Sequence, residues 1–419
     1  MIDIARSNMT GKLSGAPTLT RNSALVGRPP LIRQANAEIL LRLLRESGPC
    51  SKADLVRASG LSAPSVTNVV ATLISTGLVE TVGEGDSTGG RPPDILRFKP
   101  EYGWVAGVEI TRQALRFLLT DLNGRELAQW EPPIQKSRST PRYICRIIAK
   151  ELSQMVRKRG LSRTRLSGVT VAVPAIVNVD EGTVLAFTPL KDWNRVPVGP
   201  MLARELKCPV LVDNDTNLAA QGEFHYGAAR GERNFVFITI GEGVGAGIFL
   251  NGSIYRGSQW CAGEIGYLRV PDISREHPSI HKYGKLETAL SASAILRSWR
   301  VGAKAASFGS RVVHVTDIWD LAASGNALAK SILRQRATIL ADVILDLALV
   351  LNPNLILLGG EVGNHPALLR EVNALLQGTE FAVSQVALGA LGIPAVLLGA
   401  VAIALEPTLL RLLRTPRHA

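Results

Sequence analysis

The feature that most constrains the fold is an alternation of short apolar runs with longer helical runs, which begins near Trp104. Short apolar runs are typical of buried strands, and longer amphipathic runs are typical of helices. The strand candidates are Val105–Ile110, Arg116–Asp121, Gly168–Val173, Val210–Val212, Asn234–Ile240, Gly247–Leu250, Leu355–Leu358 and Ala395–Leu398. Helical runs lie near residues 142–159, 288–300 and 327–351. The alternation predicts an α/β domain, and two similar lobes are compatible with it.

The residues before Trp104 follow a different pattern, in which three helical segments succeed one another closely. The first carries an apolar stripe made of Ile39, Leu40, Leu43 and Leu44. Ser51 and Ser62 are placed to cap the second and third helices, and Gly60 supplies a tight turn between them. The apolar face of the third helix is Val66, Val69, Val70, Leu73 and Ile74. Two helices joined by a short turn predict a helix-turn-helix.

Two β-like runs, Leu78–Val82 and Ile95–Phe98, follow the third helix. The hairpin tip between them ends in Gly89-Gly90-Arg91-Pro92-Pro93. The order helix, helix, helix, hairpin predicts a winged helix-turn-helix over residues 33–100, followed by the α/β domain over residues 101–419. Residues 1–32 are rich in Ser, Thr, Gly, Pro and Arg and lack periodicity, which predicts a disordered basic arm.

The third helix is expected to enter the major groove of DNA. Its outward residues are small, and most can hydrogen-bond base edges: Ser62, Ala63, Ser65, Thr67 and Asn68. Asn68 is the expected adenine reader, and Lys52, Arg57 and Arg91 are the expected phosphate contacts. Arg91, on its narrow tip, could also enter an A·T-rich minor groove. The alternative is a three-helix bundle that binds a protein, and the Arg-bearing hairpin favours DNA.

Composition adds weaker constraints. Lys and Arg outnumber Asp and Glu by 47 to 35, and the net charge of +12 favours a polyanionic partner. The four cysteines form no CxxC pair, which fits a reducing, cytoplasmic setting and argues against a disulfide framework. The uncharged segment Val386–Leu405 is long enough to span a bilayer, but its glycines and proline favour a buried strand, a turn and a core helix. We therefore expect no membrane partner.

Four motifs resemble the ROK family of sugar kinases and sugar-responsive repressors. They are Gly89-Gly90-Arg91-Pro92-Pro93, Asp213-Asn214-Asp215-Thr216-Asn217, Gly241–Gly247 and Ala262-Gly263-Glu264-Ile265-Gly266. The resemblance covers residues 33–100, as the DNA-binding head, and residues 104–405, as the kinase-like domain. It implies a two-lobed α/β domain of the actin and hexokinase type.

The resemblance also implies a sugar site. Residues matching Asn214 and Asp215 bind sugar hydroxyls in the family, and the Asp is the base for phosphoryl transfer. Glu264 and Glu287 match two further sugar-binding carboxylates. Carboxylates and an amide suit a polyhydroxy ligand, because carboxylates accept hydrogen bonds and an amide both donates and accepts.

The residues at the positions that bind the nucleotide in the family's kinases differ from the family pattern. The glycine-rich segment Gly241–Gly247 is expected to expose backbone N–H groups to phosphate. Kinases of this fold need a partner loop, Asp-x-Gly-x-Thr, at the first strand. This chain has Glu109-Ile110-Thr111-Arg112-Gln113 there, so side chains are expected to crowd the phosphate position. We therefore predict no kinase activity and no cofactor.

The zinc site of many family members is also expected to be lost. The family's His and three Cys ligands correspond here to Tyr267, Pro278, Ile280 and Lys285. None of these is a good zinc ligand in this setting, and His277 and His281 alone do not make a site. Loss of the His also removes one sugar contact.

These observations predict a transcriptional regulator that binds an operator in double-stranded DNA as a homodimer or homotetramer and responds to a sugar or sugar derivative. Two alternatives stay open. One is an active sugar kinase with a DNA-binding head, favoured by Asp215 and the Gly241–Gly247 segment. The other is a constitutive DNA-binding protein whose kinase-like domain only oligomerises, favoured by Tyr267.

Overall fold

The computed structural model describes residues 29–84, 92–112, 114–133, 140–186, 192–269, 284–305, 312, 314–379 and 385–414. The chain divides into two compact units, with the boundary between Phe98 and Lys99. Each unit is described separately below.

The first unit combines three helices with a three-stranded sheet. Its elements are α1 (Pro29–Ser47), β1 (Cys50–Ser51), α2 (Lys52–Ser59), α3 (Ala63–Ser75), β2 (Val79–Glu84) and β3 (Asp94–Phe98). Strand β3 lies in the middle and pairs antiparallel with β1 and β2. This arrangement confirms the winged helix-turn-helix.

Local sequence signals explain where the helices of this unit start and stop. The Ser51 side chain accepts a hydrogen bond from the backbone N–H of Asp54, and Ser62 accepts one from Ser65. These bonds satisfy N–H groups that a helix start leaves unpaired. Gly60 has a φ of 68°, in the left-handed region that glycine adopts most readily.

Two details of the first unit differ from expectation. Helix α1 begins at Pro29, so residues 29–32, which the sequence assigned to the disordered arm, are helical. A proline is tolerated in the first turn, where its missing N–H breaks no hydrogen bond. Ile74, assigned to the buried face of α3, is 41% exposed, whereas Val66, Val70 and Leu73 are fully buried.

The second unit contains two halves. The first half is β4 (Trp104–Ile110), β5 (Leu115–Asp121), β6 (Glu126–Trp130), α4 (Pro141–Lys158), β7 (Leu166–Val173), β8 (Ile176–Asn178), β9 (Thr183–Ala186), α5 (Val198–Leu206) and β10 (Val210–Asn214). The second half is α6 (Asp215–Tyr226), β11 (Phe235–Ile240), β12 (Val244–Leu250), β13 (Ser253–Ile254), α7 (Lys285–Leu290), α8 (Ala292–Ala305), α9 (Val315–Ala323), α10 (Ala327–Leu351), β14 (Leu355–Gly359), α11 (Gly360–Gly363), α12 (Pro366–Leu376), β15 (Gln385–Leu388) and α13 (Ala395–Arg414).

Both halves build a five-stranded sheet of the same topology. The strand orders are β6-β5-β4-β7-β10 and β13-β12-β11-β14-β15. In each sheet the first three strands in this order form an antiparallel meander. The last two strands run parallel to the central strand, which is β4 in one sheet and β11 in the other. The repeated order confirms the two-lobed α/β domain.

Helix α13 packs closely against α6 and strand β4. A side chain at Gly399 would overlap the carbonyl oxygen of Leu218 in α6, and one at Gly107 in β4 would lie 2.9 Å from the carbonyl oxygen of Leu397. Glycine at these positions therefore permits the close approach. Within the described residues α13 has the length and apolarity of a membrane span, yet more than half of that stretch is buried inside the fold.

Three boundaries correct the sequence analysis. Ala395–Leu398, taken as a strand, is the first turn of α13, because four apolar residues fit a buried strand or a buried helix equally well. The expected helix over residues 288–300 is two helices that meet at Ser291. Strand β12 begins at Val244, inside the segment expected to be a phosphate loop.

Candidate functional site

Residues from both lobes line one cleft of about 490 Å³. This volume lies within the range of about 300–1,000 Å³ that is usual for small-molecule sites. The four predicted sugar residues all line this cleft: Asn214, Asp215, Glu264 and Glu287. The end of β4 and the turn after β11 line it as well.

Asn214 and Asp215 lie where β10 passes into α6. The Asn214 side chain caps α6, since its Oδ1 accepts a hydrogen bond from the backbone N–H of Asn217 at 3.0 Å. Its Nδ2 donates to the carbonyl oxygen of Ala175 at 3.2 Å. Asp215 Oδ1 accepts from the backbone N–H of Thr216 at 2.7 Å. These bonds fix both side chains, and among the residues that the structure describes none donates a hydrogen bond to Asp215 Oδ2.

The carboxyl groups of the cleft raise one another's pKa. Burial and the nearby charges of Glu109 and Glu264 raise the pKa of Asp215 to about 7. Burial and the charge of Glu287 raise the pKa of Glu264 to about 7. The pKa of Glu287 is raised by burial, although a backbone hydrogen bond at Gly284 and the charge of Arg112 oppose this. Near neutral pH Asp215 and Glu264 can therefore both donate to and accept from hydroxyls.

Glu109 is held by arginine. Its side chain is 10% exposed, and its Oε2 lies 3.3 Å from Nη1 of Arg116. Nε of the same arginine lies 3.2 Å from Oε2 of Glu131. Burial raises the pKa of Glu109, and the charge of Arg116 acts against this rise. The carboxyl group of Glu109, near the end of β4, is thus paired with the guanidinium of Arg116.

We call residues 111–114, between β4 and β5, the first turn, and Gly241–Gly243, between β11 and β12, the second turn. In the first turn the Thr111 hydroxyl donates to the carbonyl oxygen of Ala114 and accepts from its N–H, each at 3.0 Å. Nε of Arg112 lies 3.1 Å from Oε2 of Glu242, so an ion pair joins the two turns across the cleft. Gln113 lies outside the described residues.

The second turn is shorter than the sequence suggested. Gly245 and Gly247 belong to β12 and pair with Thr239 and Phe237 of β11. A side chain at Gly247 would contact the helix α6, at Ala220 and the carbonyl oxygen of Thr216. Part of the glycine pattern therefore serves strand–helix packing, and only the three turn residues remain as a loop.

The predicted DNA-binding residues lie on the first unit. Thr67 and Asn68 are exposed on α3, while the Ser62 and Ser65 hydroxyls lie 2.8 Å apart at its start. Lys52 is half-buried at the first residue of α2. Arg57 forms an ion pair with Asp54 on the same helix. Arg91 lies outside the described residues.

Two of the four positions of the family's zinc ligands, Tyr267 and Lys285, are described, and Tyr267 lines the cleft. Pro278, Ile280, His277 and His281 lie in the undescribed segment 270–283. Among the residues that the structure describes, no three His, Cys, Asp or Glu side chains are grouped as metal ligands.

Sequence reasoning missed Arg116, Glu131 and Trp260, which all line the cleft. The pair Glu109 and Arg116 could have been found, because these residues face each other across the β4–β5 hairpin. Opposite charges at facing positions are typical of cross-strand pairs. Trp260 gave no recognisable signal, because its position depends on a loop of unusual backbone geometry.

Comparison with known proteins identifies the family. Residues 105–406 match the ROK family model, and residues 35–91 match the MarR family model. The xylose repressor of Bacillus subtilis (strain 168) is 28% identical over 304 residues, which cover 70% of this chain and 76% of the repressor. The glucokinase of Halalkalibacterium halodurans is 32% identical over 267 residues, which cover 62% of this chain and 80% of the kinase.

A similar solved structure is a ROK family transcriptional regulator described as a homologue of the Escherichia coli MLC protein. It superposes with a TM-score of 0.75 at 24% identity and covers 92% of this chain and 100% of its own. This similarity supports the fold. Since the ROK model matches most of the chain and a MarR-type segment precedes it, this chain belongs to the ROK family.

Proposed function

We propose that the chain is a DNA-binding transcriptional repressor of carbohydrate genes that binds a sugar without phosphorylating it. The winged helix-turn-helix and its MarR-type match support DNA binding. The similarity to xylose repressors and to the N-acetylglucosamine repressor of Escherichia coli supports a sugar effector. A homodimer or homotetramer in the cytoplasm fits this role, since paired operator half-sites match paired heads.

The observation that carries the proposal is the difference between the two halves of the cleft. Asn214, Asp215, Glu264 and Glu287 line the cleft, and we assign the part that they line to the sugar. On the nucleotide side, Arg112 is paired with Glu242 and Glu109 with Arg116. Phosphoryl transfer needs the γ-phosphate and its metal held in line with the attacking oxygen. Because these charged residues are already paired with each other, few groups remain to hold the γ-phosphate and its metal.

Regulation follows from a shift between two states. A sugar that contacts both lobes binds the closed cleft more tightly and increases its population. If the closed and open states differ in their affinity for DNA, the sugar and the operator affect each other's binding by the same factor. We propose this coupling as the basis of induction.

Calorimetry with a panel of sugars and with ATP, combined with a coupled kinase assay, tests the proposal. We expect a heat of binding for at least one sugar, none for ATP, and no turnover. ATP turnover would contradict the proposal. Failure of every sugar, sugar phosphate and amino sugar to bind would favour the constitutive DNA-binding alternative.

A mobility-shift titration at fixed salt tests the DNA side. We expect Arg91→Ala and Asn68→Ala each to weaken operator binding by about 1–3 kcal/mol, because each removes one groove contact. Lys52→Ala should weaken binding to all DNA sequences equally, because phosphate contacts carry no sequence information. Unchanged affinity in Arg91→Ala and Asn68→Ala would contradict the assigned DNA-reading face.

A second candidate function, an active sugar kinase, is favoured by two observations. The glucokinase relative is 32% identical. The pKa of Asp215, raised to about 7, also suits a general base at neutral pH. If the chain is a kinase, Asp215→Asn should abolish turnover while ATP binding persists.

A further inference from the structure

Trp260 has an unusual backbone conformation in the wall of the cleft. Its φ is 56°, in the left-handed region that bulky side chains rarely adopt. It is half-buried, and it lines the same cleft as Glu264, four residues further on. Strained residues of this kind persist where the surrounding structure holds them, often at ligand sites.

The surrounding loop is well anchored. The Ala262 N–H donates to the carbonyl oxygen of Arg256 at 3.1 Å. The N–H of Ala246, in β12, donates to the carbonyl oxygen of Gly263 at 2.8 Å. The Arg256 guanidinium forms an ion pair with the buried Asp213, just before the sugar residues Asn214 and Asp215. The loop that contains Trp260 is thus bonded to β12 and to Asp213, next to the proposed sugar residues.

The other tryptophans have evident structural roles. Trp104, Trp193, Trp299 and Trp319 are at most 6% exposed, and Trp130 stacks on Phe117 with ring centroids 4.6 Å apart. Trp260 has no such ring partner among the described residues. A large aromatic ring at a small-molecule cleft typically supplies apolar contact area, while a few polar groups fix orientation.

Building on the proposed sugar function, we propose that Trp260 is a specificity-determining ligand contact that stacks on the apolar C–H face of a pyranose. The hydroxyls at the rim of the ring pair with Asn214, Asp215, Glu264 and Glu287. In the all-equatorial gluco and xylo configurations both faces of the ring carry mainly C–H groups. An axial hydroxyl on the stacked face would place a polar group against the indole without a hydrogen bond, which is unfavourable. The axial 4-hydroxyl of D-galactose and the axial 2-hydroxyl of D-mannose project from the same face of the ring, and this is the face that we assign to the indole. The ligand class is therefore an all-equatorial pyranose.

The test compares calorimetric affinities of the full chain for D-glucose and D-xylose with those for D-galactose and D-mannose. In Trp260→Gly we expect affinity for the all-equatorial sugars to fall about three- to tenfold, the effect of losing one aromatic contact. The preference over the axial epimers should shrink by the same factor. The Tm of the sugar-free protein should change by less than about 2 °C, because the strain that glycine relieves and the apolar burial that is lost with the half-buried indole oppose each other.

Lys207→Gly is the matched control. Lys207 has a φ of 57° at the end of α5 and does not line the cleft. Because Lys207 is exposed, its replacement by glycine relieves strain without losing buried area, so we expect a small rise in Tm with unchanged sugar affinity. Trp260→Phe keeps a ring, so its affinity should stay within about twofold of wild type. Its tryptophan fluorescence should no longer respond to sugar.

The outcomes separate this inference from the proposed function. If the wild type binds a sugar and both Trp260→Gly and Trp260→Phe bind it equally well, the stacking role is wrong and the sugar function stands. If the wild type prefers an axial epimer, the ligand class is wrong. If no sugar binds the wild type, the proposed function fails, and this inference fails with it.

Discussion

The two lobes of the ROK domain carry the same hairpin at the same place in the same sheet, with different residues. In the first lobe Glu109 faces Arg116 across the hairpin, and the turn contains Thr111 and Arg112. In the second lobe the corresponding facing pair is Thr239 and Gly245. The first hairpin places Glu109, Arg112 and Arg116 at the cleft, whereas the second has the single charged residue Glu242 there between glycines.

This difference shows that the topology and the phosphate chemistry are separate requirements. The sheet needs only a turn that closes the hairpin, and Thr111 does this through its bonds to Ala114. Phosphate binding needs close approach to the backbone, which glycine permits and larger side chains obstruct. The first turn meets the first requirement, and the proposed absence of kinase activity assumes that its side chains prevent the second.

The largest expected effect tests whether the first hairpin depends on its arginine. Arg116→Ala leaves the buried carboxylate of Glu109 unpaired, so the free energy of unfolding should fall by about 2–3 kcal/mol. Urea denaturation at pH 8 measures it. Glu131→Gln is the control: Glu131 is 53% exposed, so we expect a loss below about 1 kcal/mol. Equal losses in the two variants would contradict the importance of the buried pair.

The second prediction contrasts the sugar side with the nucleotide side. Asp215→Asn should weaken sugar binding by about 1–3 kcal/mol, because ligand hydroxyls lose a buried hydrogen-bond partner. Glu242→Gln, at the second turn, should change sugar affinity less than about twofold. Calorimetry measures both, and operator binding of the sugar-free protein should be unchanged in Asp215→Asn. A larger effect of Glu242→Gln would reverse the assignment of the two sides.

The third prediction concerns pH. The folded-state pKa of Asp215 and of Glu264 is raised to about 7, above the unfolded values near 4. The folded state therefore holds extra protons between about pH 4 and 7, and this stabilisation is lost as pH rises through 7. We expect the unfolding free energy to fall by on the order of 2 kcal/mol from pH 5 to 8. In Asp215→Asn the fall should be smaller, and an identical pH profile would contradict the raised pKa.

The smallest expected effect belongs to the ion pair that joins the turns. Arg112 and Glu242 are 32% and 49% exposed, so a double-mutant cycle with Arg112→Ala and Glu242→Ala should give a coupling energy of about 0.2–1 kcal/mol. The double variant should gain no kinase activity, because Thr111 and the Glu109–Arg116 pair remain. Appearance of ATP turnover would show that this one ion pair is what prevents catalysis.

Much of the site could be predicted because its residues belong to short motifs. Asn214 and Asp215 are adjacent, and the same Asn214 that caps α6 also faces the cleft. The glycine-rich segment was predicted less well. Gly245 and Gly247 meet packing needs in β12 against α6, which a local pattern cannot distinguish from a phosphate loop.

The sequence by itself determined the winged helix, the α/β class and the starts of α2 and α3, because the caps Ser51 and Ser62 bond to residues only three positions away. The tertiary structure decided that Ala395–Leu398 is helical, since the close contact of Gly399 with Leu218 admits a helix there. It also decided that Arg112 meets Glu242, 130 positions away in the chain, and that Trp260 reaches the cleft. Such contacts exist only after the two lobes have folded against each other, so no local pattern encodes them.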